Sequence, residues 1–310
     1  KLFHTNLLLI RTTGIEADYG TITSGAEHFY PWKTQWPQPD DVAEGMNQQQ
    51  QLISGMLNKA NLLSILRTSS VFMDTDSGPR IKVVCRYQQF RAANKITQQL
   101  RNGTTATERS GVIWHTQGSG KSLTMVFVAR LIRATHDLAD YKILLINDRK
   151  DLEKQLTKTA TLIGGRIHTI DSTATLRTQL SPDTSDINMV MAHKFQQRDT
   201  TMPLKVAEAL GTYLSIPSRE TFGIVNPSPR IVLMVDEAHR TQGSDLGDNI
   251  FEAFPNAARI AFTGTPLITD RHGEKKTHNR ICDYIKHYHP LDASDDGTTL
   301  PNPTASRTRT

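Results

Sequence analysis

The residues able to do chemistry concentrate in two short stretches. The first, GVIWHTQGSGKSLTM (111–125), runs an apolar segment into Gly118 and Gly120, then Lys121 and Ser122, then a helical pattern. Glycines let backbone N–H groups approach a phosphate closely, and the N-terminus of the following helix adds its positive dipole end. In such a cradle Lys121 reaches the β- and γ-phosphates of a nucleoside triphosphate, and the Ser122 hydroxyl binds Mg2+. The pattern G-x-x-x-x-G-K-[ST] is met only in part, because His115 stands where its first glycine belongs. A bare G-K-[ST] arises by chance in roughly one chain in five of this length and composition, so the order strand, glycine loop, helix carries the reading. The second stretch, RIVLMVDEAHR (230–240), sets Asp236 and Glu237 directly behind the apolar run Ile231–Val235. Carboxylates at the carboxyl end of a buried strand lie where open α/β sheets bind ligands. Asp236 then holds Mg2+, and Glu237 orients or deprotonates an attacking water. Alone, two such acids more often cap the next helix; the phosphate loop upstream decides for the catalytic reading.

These groups need a scaffold, and the texture of the chain supplies one. Strands are predicted at Gly111–Trp114, Lys142–Asn147, Ile187–Ala192, Ile231–Val235 and Ile260–Phe262, with helices at Lys121–Thr135, Lys150–Leu162, Thr173–Leu180 and Leu246–Phe254. Short, continuously apolar strands separated by helices are what a parallel sheet covered on both faces requires. This α/β domain extends from about Ile81 to Ile268. Before it, Leu7–Ile10, Ile15, Ala17 and Tyr19 alternate like strands and predict the margin of a β-containing unit. PWKTQWPQPDD (31–41) reads as a linker. Leu52, Met56, Leu57, Leu62, Leu63 and Leu66 recur at helical spacing, and DTDSGPR (74–80) reads as a break before the α/β domain. Beyond Pro266 the chain turns charged and His-rich, and DDGTTLPNPTASRTRT reads as a linker or disordered end.

Composition narrows the class. The 310 residues carry 36 Lys plus Arg against 31 Asp plus Glu, a formal charge of +5 that permits an acidic partner without identifying one. At 37% apolar residues the chain is able to bury a core. Cys85 and Cys282 are far apart and in no metal-binding spacing, which excludes a disulfide framework and makes a reducing, cytoplasmic setting the expectation. No apolar run approaches the roughly 18 residues that span a bilayer, so no membrane partner is expected. The chain opens at Lys1 without a methionine, which raises the expectation of a piece cut from a longer polypeptide. His272, His278, His287 and His289 lack ligand-like partners in sequence and are read as surface residues.

Taken together, RYQQFRAANKI, WHTQGSGKSLTM, NDRKDLEKQ, MAHKFQ, VDEAHR and AFTGTPL, in that order, resemble the nucleotide-binding motor domain of superfamily 2 helicases and translocases. Within that group they resemble the restriction (R) subunit of type I restriction-modification enzymes. GIEADYGTITSGAEHFYPWKT is similar to the family's joint between nuclease and motor, and DYIKHYHPLDASDDGTTLP to the connection leaving its first motor domain. The resemblance implies a RecA-like, P-loop NTPase sheet over residues 81–270. It implies the C-terminal margin of a nuclease region over 1–40, a linker and helix over 41–80, and a connector over 271–310. It also implies ATP and Mg2+ as cofactors. His115, Thr116, Gln117, Gly118, Ser119, Gly120, Lys121 and Ser122 would form the ATP loop, since the family carries a His at the loop position held by His115. Gln89, with Arg86 and Tyr87 beside it, would recognise adenine through a carboxamide that donates and accepts at once. Arg149, next to Asp148, would track the backbone of double-stranded DNA together with Lys194 and Gln196. Thr263 and Thr265, within Thr-Gly-Thr-Pro, would couple hydrolysis to movement, with His239 in the same network.

The resemblance further implies partners, namely the modification and specificity subunits of a restriction complex, the latter reading the DNA sequence. No acid-x-Lys nuclease centre stands on a strand near Pro39-Asp40, so the nuclease is expected upstream of Lys1. The second motor domain, which carries the arginine finger, is expected downstream. Such fingers contribute about 10³–10⁵-fold to nucleotide hydrolysis, so this chain by itself is expected to hydrolyse ATP weakly. The rival readings are another superfamily 2 motor, of type III restriction or DEAH kind, and a non-hydrolysing nucleotide-binding module.

Overall fold

The computed structural model describes residues 5–75, 78–115, 120–147, 161–164, 167–170, 172–195, 223–236, 245–264 and 284–288. Its centre is an all-parallel sheet of β5 (Gly111–His115), β6 (Lys142–Asn147), β7 (Ile167–Ile170), β8 (Ile187–Met191), β9 (Ile231–Val235), β10 (Ala258–Thr263) and β11 (Tyr284–Tyr288). Their spatial order is β11-β5-β10-β9-β6-β8-β7. The apolar runs are continuous because both faces are covered. Ile143 and Leu145 of β6, Val232 and Met234 of β9, and Ile260 and Phe262 of β10 enter one core. Leu144 and Ile146, with Leu233 and Val235, enter the other. Alternate side chains of one strand thus serve opposite layers, as the period of a strand dictates. The predicted strands are all present, and this is the RecA-like α/β architecture.

On the first face lie α3 (Tyr87–Asn102) and α4 (Lys121–Ala134), contributing Phe90, Ile96, Phe127 and Val128. On the second lie α5 (Thr173–Leu180) and α6 (Asp245–Ala253), contributing Leu176, Leu180, Ile250 and Ala253. The helix predicted over Lys150–Leu162 lies outside the described residues up to Ala160, after which Thr161–Ile163 form a 3-10 turn. Two strands of this sheet escaped the sequence reading. β7, with sequence IHTI, is half polar, and β11, YIKHY, lies in the stretch read as a connector. β11 pairs in parallel with β5, Tyr284 opposite Val112. An edge strand presents one side to no neighbour and needs no unbroken apolar run, so its pattern resembles a polar connector.

The amino-terminal portion corrects two expectations. β1 (Leu9–Thr12) and β2 (Ala17–Gly20) form one antiparallel pair, and β3 (Ser70–Met73) and β4 (Ile81–Val84) another. DTDSGPR is therefore not an interdomain break but the turn of the β3–β4 hairpin, bridged by Arg80 and Asp74 at 3.4 Å. Nor is PWKTQWPQPDD a linker, since Trp32 and Thr34 are fully buried. The Trp32 ring stands 5.7 Å from Tyr19 and 5.4 Å from Phe90 of α3, and its Nε1 donates to the Thr34 carbonyl at 2.7 Å. Prolines in this stretch mark an irregular backbone, which here is packed rather than solvated.

The predicted leucine-rich helix is interrupted. α1 (Gln48–Gln51) opens with a capping box of Asn47 and Gln50, a π-turn follows over Leu52–Met56, and α2 (Lys59–Thr68) restarts at the Asn58 cap. The π-turn brings Gly55 against Trp32 and the Thr34 carbonyl so closely that a Cβ at this position would lie 2.2 Å from that oxygen. Ala17, Tyr19, Trp32, Leu52, Met56, Ile65, Val71 and Cys85 join the same core as α3 and α4. Burial also pushes the Cys85 thiol up from its ordinary range.

Arginine side chains reaching backbone carbonyls bind the layers together. Arg130 of α4 donates to the carbonyls of Thr68 (3.0 Å), Leu162 (2.9 Å) and Arg67 (3.1 Å), tying α2 and the segment after β6 to α4. Burial lowers its pKa, and the cationic donors satisfy the last carbonyls of α2, where positive charge is favoured. Arg109 reaches the carbonyls of Pro229 and Asn256 at the amino ends of β9 and β10.

Replacing Trp32 with Ala should lower stability by about 3–5 kcal/mol. Urea unfolding followed by circular dichroism should still show a single transition, whereas a linker residue would cost less than about 0.5 kcal/mol.

Candidate nucleotide site at the carboxyl edge of the sheet

Four adjacent strands end on chemically capable residues. β5 ends at His115, β10 at Thr263, β6 at Asn147, and β9 leads into Asp236. Register holds them level, with Thr263 opposite Trp114, Val235 opposite Ala261, and Ile146 opposite Val235. The Asp236 amide donates to the Ile146 carbonyl at 2.9 Å, fixing the carboxylate-bearing residue beside the end of β6. His115 and Thr263 are fully buried, Asn147 is 1% exposed and Asp236 6%. Asn147 was not singled out from sequence, although a polar residue closing the four-residue apolar run Ile143–Ile146 was the available signal.

α4 begins at Lys121, behind Gly120 in a left-handed conformation (φ 84°) that L side chains rarely adopt. The Gly120 carbonyl accepts from the Thr124 amide (3.0 Å), from Thr124 Oγ1 (3.2 Å) and from Gln89 Nε2 (3.1 Å). A Cβ on Gly120 would sit 2.6 Å from that Gln89 nitrogen. Glycine is required here twice, for the sign of φ and for the approach of α3. Lys121 and Ser122 are half-buried in the first turn of α4.

Gln89 is 3% exposed and not a solvated surface residue. Its Oε1 accepts from the Arg86 amide at 2.9 Å, closing the first turn of α3, while its Nε2 holds the loop. Arg86 in turn donates from Nη2 to Tyr30 Oη at 2.6 Å and stacks over the Tyr30 ring at 4.1 Å. The amino-terminal portion therefore touches the same corner of the site.

The structure brings together Gln89, His115, Gly120, Lys121, Ser122, Asp236 and Thr263 at one edge. Thr116, Gln117, Gly118, Ser119, Arg149, Gln196, Glu237, His239 and Thr265 lie outside the described residues. Lys194 falls in a 3-10 turn, Ala192–Phe195, at the end of β8; its side chain lies outside the described set. Among the described residues no helix is long and apolar enough to cross a membrane.

A buried parallel sheet, a left-handed glycine ahead of a Lys-Ser helix start, and an acid directly behind β9, with β10 between it and β5, define a P-loop nucleotide-binding domain. Residues 88–309 match the SWI2/SNF2 ATPase family, and the chain belongs to that family. It is also similar to the endonuclease subunit of the type I restriction enzyme HindI of Haemophilus influenzae, with 28% identity over 97% of this chain and 28% of that protein. The putative type I restriction enzyme MjaIXP endonuclease subunit of Methanocaldococcus jannaschii is 26% identical over 97% of this chain and 28% of its own length. The chain thus spans about 28% of the length of these relatives. Among solved structures, a nuclease-deletion mutant of the type ISP restriction-modification enzyme LlaGI aligns with a TM-score of 0.45 and 13% identity, over 72% of this chain and 21% of that one.

Gly120→Ala should lower stability by about 1–3 kcal/mol through its left-handed backbone and the lost Gln89 contact. In denaturant unfolding, Gln89→Ala should then add less in the Gly120→Ala background than in the wild type, because the two share one interaction.

Proposed function

We propose that this chain is the ATP-dependent motor part of the restriction subunit of a type I restriction enzyme. It would hydrolyse ATP to move double-stranded DNA ahead of cleavage by a nuclease domain outside this chain. The observation that carries the reading is the convergence of the Gly120–Lys121–Ser122 helix start, Asp236 and Thr263 at one sheet edge, with Gln89 locked to the loop.

The residues divide the work by chemistry. Lys121 neutralises the β- and γ-phosphates as the loop amides of residues 115–120 cradle them. The Ser122 hydroxyl and Asp236 carboxylate are hard oxygen donors and fit Mg2+, which when bound neutralises charge on the transferring phosphoryl group. Glu237 orients the attacking water and accepts its proton. Gln89 keeps a second N–H and a second lone pair for the edge of adenine after holding Gly120 and Arg86. His115, fully buried at the end of β5, leads into the loop. His239, Thr263 and Thr265 relay the state of the γ-phosphate to the DNA-facing loops, where Arg149, Lys194 and Gln196 meet backbone phosphates. Residues 81–270 form the first RecA-like domain, 1–40 the margin of the nuclease region, 41–80 the joining segment and 271–310 the lead towards a second motor domain. The working assembly includes modification and specificity subunits and operates in the cytoplasm.

Mg-ATP binding measured by calorimetry should weaken by about 10–100-fold in Lys121→Ala, the value of a charge-assisted contact; unchanged affinity would remove the phosphate-loop reading. In the full-length protein, duplex DNA should stimulate ATP hydrolysis and Asp236→Asn should abolish it. Stimulation by RNA alone would reject the restriction-motor assignment.

A further inference from the structure

We propose that Tyr19 and Tyr30 are positioning residues of the nucleotide site, setting the phosphate loop through Cys85 and Arg86, the residues that lead into α3. The inference rests on the nucleotide reading above and deepens it. Both tyrosines, and both residues they grip, precede the family match, which begins at residue 88.

The tyrosines form a pair. The Tyr19 amide donates to the Tyr30 carbonyl and the Tyr30 amide to the Tyr19 carbonyl, each at 3.0 Å, so that Tyr30 is bridged to β2. From this bridge the phenols reach consecutive residues. Tyr19 Oη donates to the Cys85 carbonyl at 2.8 Å, with both residues buried. Tyr30 Oη accepts from Arg86 Nη2 at 2.6 Å, and the guanidinium lies over the Tyr30 ring at 4.1 Å, a charge-assisted bond backed by a cation–π contact. The Cys85 amide is held as well, donating to the Ser69 carbonyl at 2.9 Å.

These contacts fix the start of α3. Phe90 and Ile96 pack the helix into the core, but apolar contact is non-directional, and directed hydrogen bonds at the helix start are what fix α3 along its axis. Arg86 caps α3, and its amide donates to Gln89 Oε1 at 2.9 Å. Gln89 Nε2 in turn donates to the Gly120 carbonyl at 3.1 Å, the same oxygen that accepts the Thr124 amide in the first turn of α4. Directed contacts thus run without a gap from the tyrosine bridge to the residue immediately ahead of Lys121 and Ser122. A displacement of residues 85 and 86 reaches Gly120 through a single side chain, that of Gln89. Groups that hold a phosphate must stand within about 0.5 Å of their productive positions, and outlying supports of this kind provide that precision.

The test measures Mg-ATP binding to the full chain by calorimetry, at a temperature that thermal unfolding places below the transition of every variant. Tyr19→Phe and Tyr30→Phe remove the hydroxyls and keep the rings. Each should weaken Mg-ATP by about 3–10-fold, the range of a single hydrogen bond. In the Gln89→Ala background neither should weaken it further, because the path to Gly120 is already cut. Leu180→Ala, which opens the core on the opposite face of the sheet, should lower the melting temperature and leave the affinity at the wild-type value. Wild-type affinity in both tyrosine variants would overturn the proposal. So would a loss that persists in full beside Gln89→Ala, or one that Leu180→Ala shares, since the tyrosines would then act only through general stability. Wild-type affinity in Lys121→Ala would instead remove the phosphate-loop reading, and the clamp with it.

Discussion

One carbonyl oxygen organises this site. Gly120 O gathers the Thr124 amide, the Thr124 hydroxyl and the Gln89 carboxamide, and each donor speaks for a different element. The Thr124 bonds start α4 and so set where Lys121 and Ser122 stand. The Gln89 bond fastens α3, and with it Arg86 and Tyr30, to the same point. The convergence is possible only because residue 120 has no side chain, for a Cβ would collide with the very nitrogen that makes the link. Backbone conformation, helix start and interlayer contact thus become one condition rather than three. A residue that must be glycine for steric reasons is also the pivot that relates the α3 corner of the candidate site to its α4 corner.

The sheet turns that local arrangement into a site. Its strands are apolar on both sides because two helical layers demand it, and His115, Asn147, Asp236 and Thr263 break the pattern at the carboxyl edge, where open α/β sheets bind ligands. The opposite edge is tied by arginine side chains reaching backbone carbonyls, as with Arg109 and Arg133. Burial lowers the pKa of Arg133, opposed by Asp186 and Asp140. That edge carries cohesion, and the carboxyl edge carries chemistry.

Much of this was legible in the residues, and the limits of legibility have physical causes. Continuous apolar runs announce strands buried on both faces, so β5, β6, β8, β9 and β10 were readable, and with them the ends that place Asp236 and Lys121. β7 and β11 were not, because a strand at or near the sheet margin tolerates polar side chains. The misread stretch around Trp32 shows a different limit. Proline and polar residues report an irregular backbone, but whether that backbone is wet or packed depends on a tryptophan that only tertiary structure can seat. Gln89 stands between these cases. The family resemblance marked it, whereas by type and place alone it reads as a solvated surface residue, and its engagement with Gly120 depends on two segments meeting across the fold.

The family match begins at residue 88, but the packing unit does not. Arg130 spends its entire guanidinium on carbonyls of α2 and of the segment after β6, and Trp32 completes the core beneath Phe90. The boundary drawn by inheritance and the boundary drawn by cohesion therefore fall in different places along this chain. Any recombination that exchanged the motor at the family boundary would therefore sever a shared core.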